Sequence, residues 1–174
     1  MNTTIPATAI DIYRSLPEGT RCEVLYNQLI MTPAPTTYHQ SVSARLSALL
    51  YVFLEGTKKG VVYAAPTDVY LEELQSVVQP DVLVVMKENE QIIHEDGIHG
   101  APDIVFEILS GNGVHDTIRK KTLYEEAGVK EYFIIDPSDK TVIMFTRSSQ
   151  NKFELVYELK GKITSAILGF SIDL

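Results

Sequence analysis

Asp81, Glu107 and Lys120 are residues whose types and settings in this sequence could do chemistry. Asp81 opens the apolar run DVLVV, and Glu107 interrupts DIVFEIL between Phe106 and Ile108. A carboxylate inside such a run is costly unless it is paired, hydrogen-bonded or holding a cation. Asp81, directly after Pro80, has a plain alternative as a residue at the mouth of a strand that faces water. Glu107 has one too, a buried ion pair with a core-facing Arg or Lys. Asp103 shares a strand face with Glu107, but it follows Pro102 where the run begins and reads as a loop or cap residue. Asp68 and Glu23 also lie close to strand runs, with weaker claims.

Downstream, HDTIRKKTLYEEAG carries a helical pattern. At about 100° per residue, Asp116, Lys120, Leu123, Tyr124 and Ala127 fall within one arc. Arg119 lies on its flank and Lys121 well off it. A lysine on a packing stripe either snorkels to solvent or turns its ammonium inward, here toward Glu107. Two carboxylates and a lysine are the parts of a metal-dependent phosphodiesterase. Carboxylates hold Mg²⁺, which keeps most of its waters and accepts phosphate oxygens. A lysine can orient the attacking water or neutralise charge on the phosphate.

The elements that must position these groups are legible from patterning. Residues 7–16 suit a short helix broken by LPEG, and CEVLYNQLIM (22–31) reads as two strands around a turn at Tyr26–Asn27. The strongest helix spans roughly 37–55, where Val42, Leu46, Leu49, Leu50 and Phe53 recur at helical spacing and Thr37 with Gln40 fits a capping box. Strands are expected at 60–65, 67–71 and 77–85, followed by a polar loop with a helical turn at 86–100. DIVFEIL is a second fully buried strand, since continuous apolar runs suit a sheet covered on both faces. The helix after it ends at Gly128, and KEYFIID, KTVIMFT and KFELVYEL are further strands. This order predicts an α/β fold with a mixed central sheet, the 37–55 helix on one face and the 116–127 helix near the other.

Composition bounds the rest. A chain of 174 residues, 45% hydrophobic and 22% charged, is expected to form one domain over 1–174. No apolar run is long enough for a membrane span. MNTTIPATAI lacks the features of a signal peptide, which points to a cytoplasmic location. Cys22 is the sole cysteine, so there is no internal disulfide or multi-cysteine zinc site. The net charge of −8 argues against a protein that coats nucleic acid. It leaves room for an enzyme whose acidic residues bind metal and whose phosphate contacts are few.

The stretches CEVLYNQLIMTPAPTTYHQ, APTDVYL, VVQPDVLVV, GAPDIVFEILS and DTIRKKTLYEEAGVKEYFIIDP, in that order over most of 20–147, resemble the Uma2 family of restriction-endonuclease-like proteins, within the PD-(D/E)xK nuclease superfamily. The resemblance implies a restriction-endonuclease-like fold and endonuclease activity with Mg²⁺, or Mn²⁺ in its place. Asp81 matches the acidic residue of the PD motif and Glu107 that of the (D/E)xK motif. Leu109 stands where the motif has lysine, and Lys120 matches the family's displaced lysine on the following helix. Glu23 matches a further acidic position, and His39 a histidine at the start of the long helix. The metal ligands are then expected to be Asp81 and Glu107, with the Ile108 backbone carbonyl and Glu23 as additions. His39, Arg119 and Lys121 are the candidate phosphate contacts. The family's usual EVLSPS reads EILSGN here. The expected partner is nucleic acid, DNA foremost, and a homodimer could span a duplex. The competing reading is a nuclease-like fold that serves as a non-catalytic interaction module.

Overall fold

A computed structural model of the chain describes residues 7–17, 19–110 and 114–174, without the side chains of 114–116. The Asp116 side chain, placed above on the helix arc, and Gly111–Asn112 of EILSGN therefore lie outside the described residues.

Helix α1 (Ala9–Ser15) is capped by Thr8, whose hydroxyl accepts from the Asp11 N–H while the Asp11 carboxylate accepts from the Thr8 N–H. Strands β1 (Cys22–Leu25) and β2 (Gln28–Met31) form a hairpin. Its turn residues, Tyr26 (φ 50°) and Asn27 (φ 60°), adopt the left-handed conformation that two-residue hairpins need. Helix α2 (Thr37–Thr57) starts one residue before the expected box: Thr36 is the cap, its hydroxyl accepting from the His39 N–H.

The run expected as one strand at 77–85 is divided at Gln79–Asp81. Strand β3 (Gly60–Ala64) and β4 (Val69–Leu71) precede β5 (Ser76–Val78) and β6 (Val82–Met86), and β5 and β6 belong to different sheets. Pro80 has no N–H to continue a ladder, so the chain changes sheets there. Residues 86–100 hold a 3-10 turn at Lys87–Ile92 and the small hairpin β7 (Ile93–His94) and β8 (Gly97–His99). Next come β9 (Ile104–Ile108), α3 (Val114–Ala127), β10 (Glu131–Ile135), β11 (Thr141–Arg147) and β12 (Phe153–Lys160). The C-terminal hairpin of β13 (Lys162–Ser165) and β14 (Phe170–Asp173) was not expected from patterning. Buried Glu131 fastens it by accepting from the Ser165 hydroxyl and the Ala166 and Ile167 N–H groups.

The central sheet runs β12-β11-β10-β9-β6-β3, with β9 and β10 parallel and the other neighbours antiparallel. On one face Leu46, Leu50 and Leu54 of α2 pack against Val82, Val84, Ile104, Phe106 and Phe133. On the other, Leu83, Val85, Val105 and Tyr132 meet Leu123 and Tyr124 of α3. Val69, Val78 and Ile98 pack there too, from a second sheet ordered β2-β1-β5-β4-β8-β7. Coverage on both faces explains the unbroken apolar runs of β6 and β9. The architecture is the mixed α/β fold expected, with a second sheet joining α3 on one face. Among the described residues no helix is long and apolar enough to cross a membrane.

Candidate active site

The site is built by the register of β6 and β9. Val82 faces Phe106 in this antiparallel pair, so the positions just beyond, Asp81 and Glu107, are neighbours across the ladder. Phe106 and Ile108 point into the α2 core, and alternation turns Glu107 to the face that carries α3 and the second sheet. Helix α3 packs over that face with Leu123 and Tyr124. One turn earlier on the same stripe, Lys120 is directed at the strand.

Lys120 does not snorkel. Its side chain is 9% exposed, and its ammonium lies 2.9 Å from Glu23 Oε1 and 3.2 Å from Glu107 Oε1. The Tyr124 hydroxyl donates to Glu107 Oε1 at 2.6 Å. Asp81 is held from two other elements. His39 Nε2 of α2 is 3.0 Å from its Oδ1, and the Ile108 N–H donates to its Oδ2 at 2.7 Å. Glu23 on β1 accepts from the Gln79 N–H at 2.8 Å through Oε1. Its other oxygen, Oε2, is buried without a hydrogen-bond partner among the described residues.

Two carboxylates, Glu23 and Glu107, thus converge on one ammonium, with Asp81 next to Glu107 across the ladder, at the base of a cleft of about 1260 Å³ that Glu23, His39, Asp81, Glu107, Ile108 and Lys120 all line. The electrostatic consequence falls on Glu107. Burial pushes its carboxyl pKa up from 4.5 to about 8, against the pull of Lys120, with Asp81 and Glu23 adding to the rise. Burial and the Glu107 charge likewise raise the Tyr124 phenol well above its ordinary value, so it stays a donor. A buried carboxyl shifted this far beside a second carboxylate, in a cleft, marks a candidate functional site.

The remaining sequence candidates are placed elsewhere. Arg119 donates to Gln28 Oε1 at 3.0 Å on the exposed side of α3. The Lys121 ammonium lies 4.1 Å from the centre of the Phe145 ring. Neither lines the cleft. Asp103, at the opposite end of β9, is a structural residue that accepts from the Met86 N–H at 2.7 Å and pairs with Lys130.

Tyr124 is the side chain of the candidate site that patterning missed, because it reads as packing on the helix stripe. The signal was there: a tyrosine on a buried stripe must find a partner for its hydroxyl, and it follows Lys120 by one helical turn. Tyr124→Phe is expected to cost about 1.5–3 kcal/mol at pH 9, where Glu107 is ionised, and less at pH 6. Urea unfolding of both proteins at the two pH values checks this, and an equal loss at both would show that the hydroxyl does not serve the ionised carboxylate.

A family model described as "Putative restriction endonuclease" (Uma2) matches residues 10–174. Among solved structures, the chain is similar to a protein from Anabaena variabilis titled "a putative nuclease belonging to DUF820". The two share 17% identity and a TM-score of 0.77, over 97% of this chain and 95% of that one. No curated protein matches the sequence. The described architecture, this structural likeness and a family match that runs almost end to end agree: the chain belongs to the Uma2 family and has a restriction-endonuclease-like fold.

Proposed function

We propose that this chain is a Mg²⁺-dependent endonuclease that hydrolyses phosphodiester bonds in nucleic acid. The observation that carries the reading is the convergence of Asp81, Glu107 and Lys120 in one cleft, from the entry to β6, from β9 and from α3. The donor set suits the metal. Asp81 and Glu107 offer hard oxygen ligands, Glu23 Oε2 is a buried acceptor left over, and the carboxylates outnumber the ammonium. Among the described residues no three or more His, Cys, Asp or Glu side chains are grouped so that they could hold a metal ion between them. Mg²⁺ needs fewer protein ligands than that, since it is commonly held by one or two carboxylates and retains several waters. Asp81 and Glu107 would hold the ion, with the Ile108 carbonyl and Glu23 as further oxygen donors. When bound, the ion supplies Lewis acidity, easing deprotonation of water and stabilising negative charge on the phosphate.

The chain's own residues do the positioning. His39 and the Ile108 N–H fix both oxygens of Asp81, and Tyr124 fixes Glu107 Oε1. Lys120, poised between Glu23 and Glu107, can donate to the attacking water or to a phosphate oxygen. Burial on α3 makes that donation directional. DNA is the expected substrate form, and a homodimer would let two such clefts address the two strands of a duplex.

Purified protein with Mg²⁺ or Mn²⁺ is expected to cleave a labelled DNA duplex, and excess chelator to stop it. Single-stranded DNA and RNA, run in parallel, define the substrate, and sedimentation counts the copies. A preparation that binds neither ion by calorimetry and cleaves none of these forms would favour the other reading. That reading is a non-catalytic nuclease-fold interaction module, which the net charge of −8 suits.

A further inference from the structure

We infer that Arg21 is the phosphate anchor of the cleft, gripping the nucleic-acid backbone beside the bond to be cut; this rests on the nuclease reading above. A polyanion entering this cleft meets mostly carboxylates. The Lys and Arg side chains that line it are Arg14, Arg21 and Lys120. Two of the three are committed. Lys120 is paired with Glu107 and Glu23. Arg14 is paired with Glu72 at 2.9 Å and rests over the Tyr70 ring, 5.3 Å from its centre.

Arg21 is exposed. Its guanidinium has no ion pair or hydrogen bond among the described residues. Its backbone is fixed all the same, because the Arg21 carbonyl accepts from the Thr32 N–H at 3.0 Å at the base of the β1–β2 hairpin. It stands two residues before Glu23, so strand alternation sends both side chains to the same face. A rigid base under a free, planar, five-donor head is what bidentate capture of a phosphate requires. The two basic residues of α3 that the sequence offered for this task are turned away: Arg119 binds Gln28 and Lys121 lies on Phe145.

The test uses the full chain and one labelled DNA. Cleavage with Mg²⁺ is followed across a salt series, and binding is followed by fluorescence anisotropy with Ca²⁺ in place of Mg²⁺. Arg21→Ala is expected to raise KM and Kd about tenfold with kcat changed less than threefold. It should also flatten the log–log salt dependence by roughly one phosphate contact, a slope change of about 0.7–0.9. Arg21→Lys should recover part of the affinity, and Lys121→Ala should leave it as it was. Unchanged KM, Kd and salt slope in Arg21→Ala, with the wild-type protein cleaving, would overturn the anchor. Wild-type protein that binds DNA through Arg21 but cleaves nothing would uphold the anchor and overturn the nuclease reading.

Discussion

Glu107→Gln is expected to reduce cleavage by about 10²–10³-fold or more while making the fold more stable above pH 8. Both effects come from the same placement. In the folded chain the Glu107 carboxyl has its pKa raised to about 8 from 4.5, chiefly by burial and then, against Lys120, by Asp81 and Glu23. The folded state therefore holds its proton more tightly than the unfolded state does. Unfolding releases that proton between about pH 4.5 and 8, so stability falls as pH rises through this window, and the penalty is complete above it. Glutamine keeps the volume, carries no charge, and still offers an oxygen to the Tyr124 hydroxyl. Lys120 keeps Glu23 at 2.9 Å. Urea unfolding should show the variant more stable than wild type by roughly 1–3 kcal/mol at pH 9, with the difference shrinking toward pH 5. The proton-linked term should largely vanish from its stability profile. Asp81→Asn should be inactive too, and milder in its effect on stability, since it removes only one of the charges that raise Glu107. A Glu107→Gln protein that is less stable than wild type at pH 9 would mean the carboxylate is held for structure. Loss of activity joined to a gain in stability is the pattern of a strained site.

The acidic half of this site was legible because the cost of burial is local. A glutamate flanked by Val105, Phe106 and Ile108 announces that something compensates it, and Lys120 was the one basic residue on the packing arc of the next helix. The partners held by long-range geometry were not legible. Nothing in the spacing of His39 and Asp81 shows that α2 brings an imidazole within 3.0 Å of that carboxylate. Nor does sequence show that Glu23 and Gln79 meet through a backbone N–H. Arg119 and Lys121, the other candidate phosphate contacts, adjoin Lys120 in sequence. On a helix, adjacent residues are about 100° apart, so this proximity points them away from the cleft. The reading of 77–85 as one strand failed in the same manner. Apolar continuity joined β5 to β6 across Pro80, although the missing N–H there is what hands the chain from one sheet to the other. That transfer sets Asp81 just before β6, at the position where the register meets Glu107.

Lys120→Ala is expected to be the most damaging single change at this site, in stability and in activity together. The ammonium is the one cation within ion-pair distance of Glu107 and Glu23 among the described residues. Removing it leaves two buried carboxylates facing one another, and breaking a buried pair from one side costs about 3–5 kcal/mol. The loss should be greatest at pH 9 and smaller at pH 6, where the Glu107 carboxyl keeps its proton. Cleavage should fall by about 10²–10³-fold even where the variant is folded, because Lys120 is the ammonium set beside the carboxylates in the cleft. The electrostatic origin of the folding loss is tested by pairing the change with Glu107→Gln. The double variant removes a positive and a negative charge together, so its stability at pH 9 should exceed that of Lys120→Ala by well over 1 kcal/mol, a coupling visible in the double-mutant cycle. Its cleavage should stay at the level of the single variants. Recovered stability identifies the unpaired charge as the source of the folding loss, and weak cleavage by folded Lys120→Ala at pH 6 assigns the lysine to the reaction as well. A Lys120→Ala protein that cleaves at the wild-type rate would remove the lysine from the mechanism and leave it as the counter-ion of a buried acidic pair.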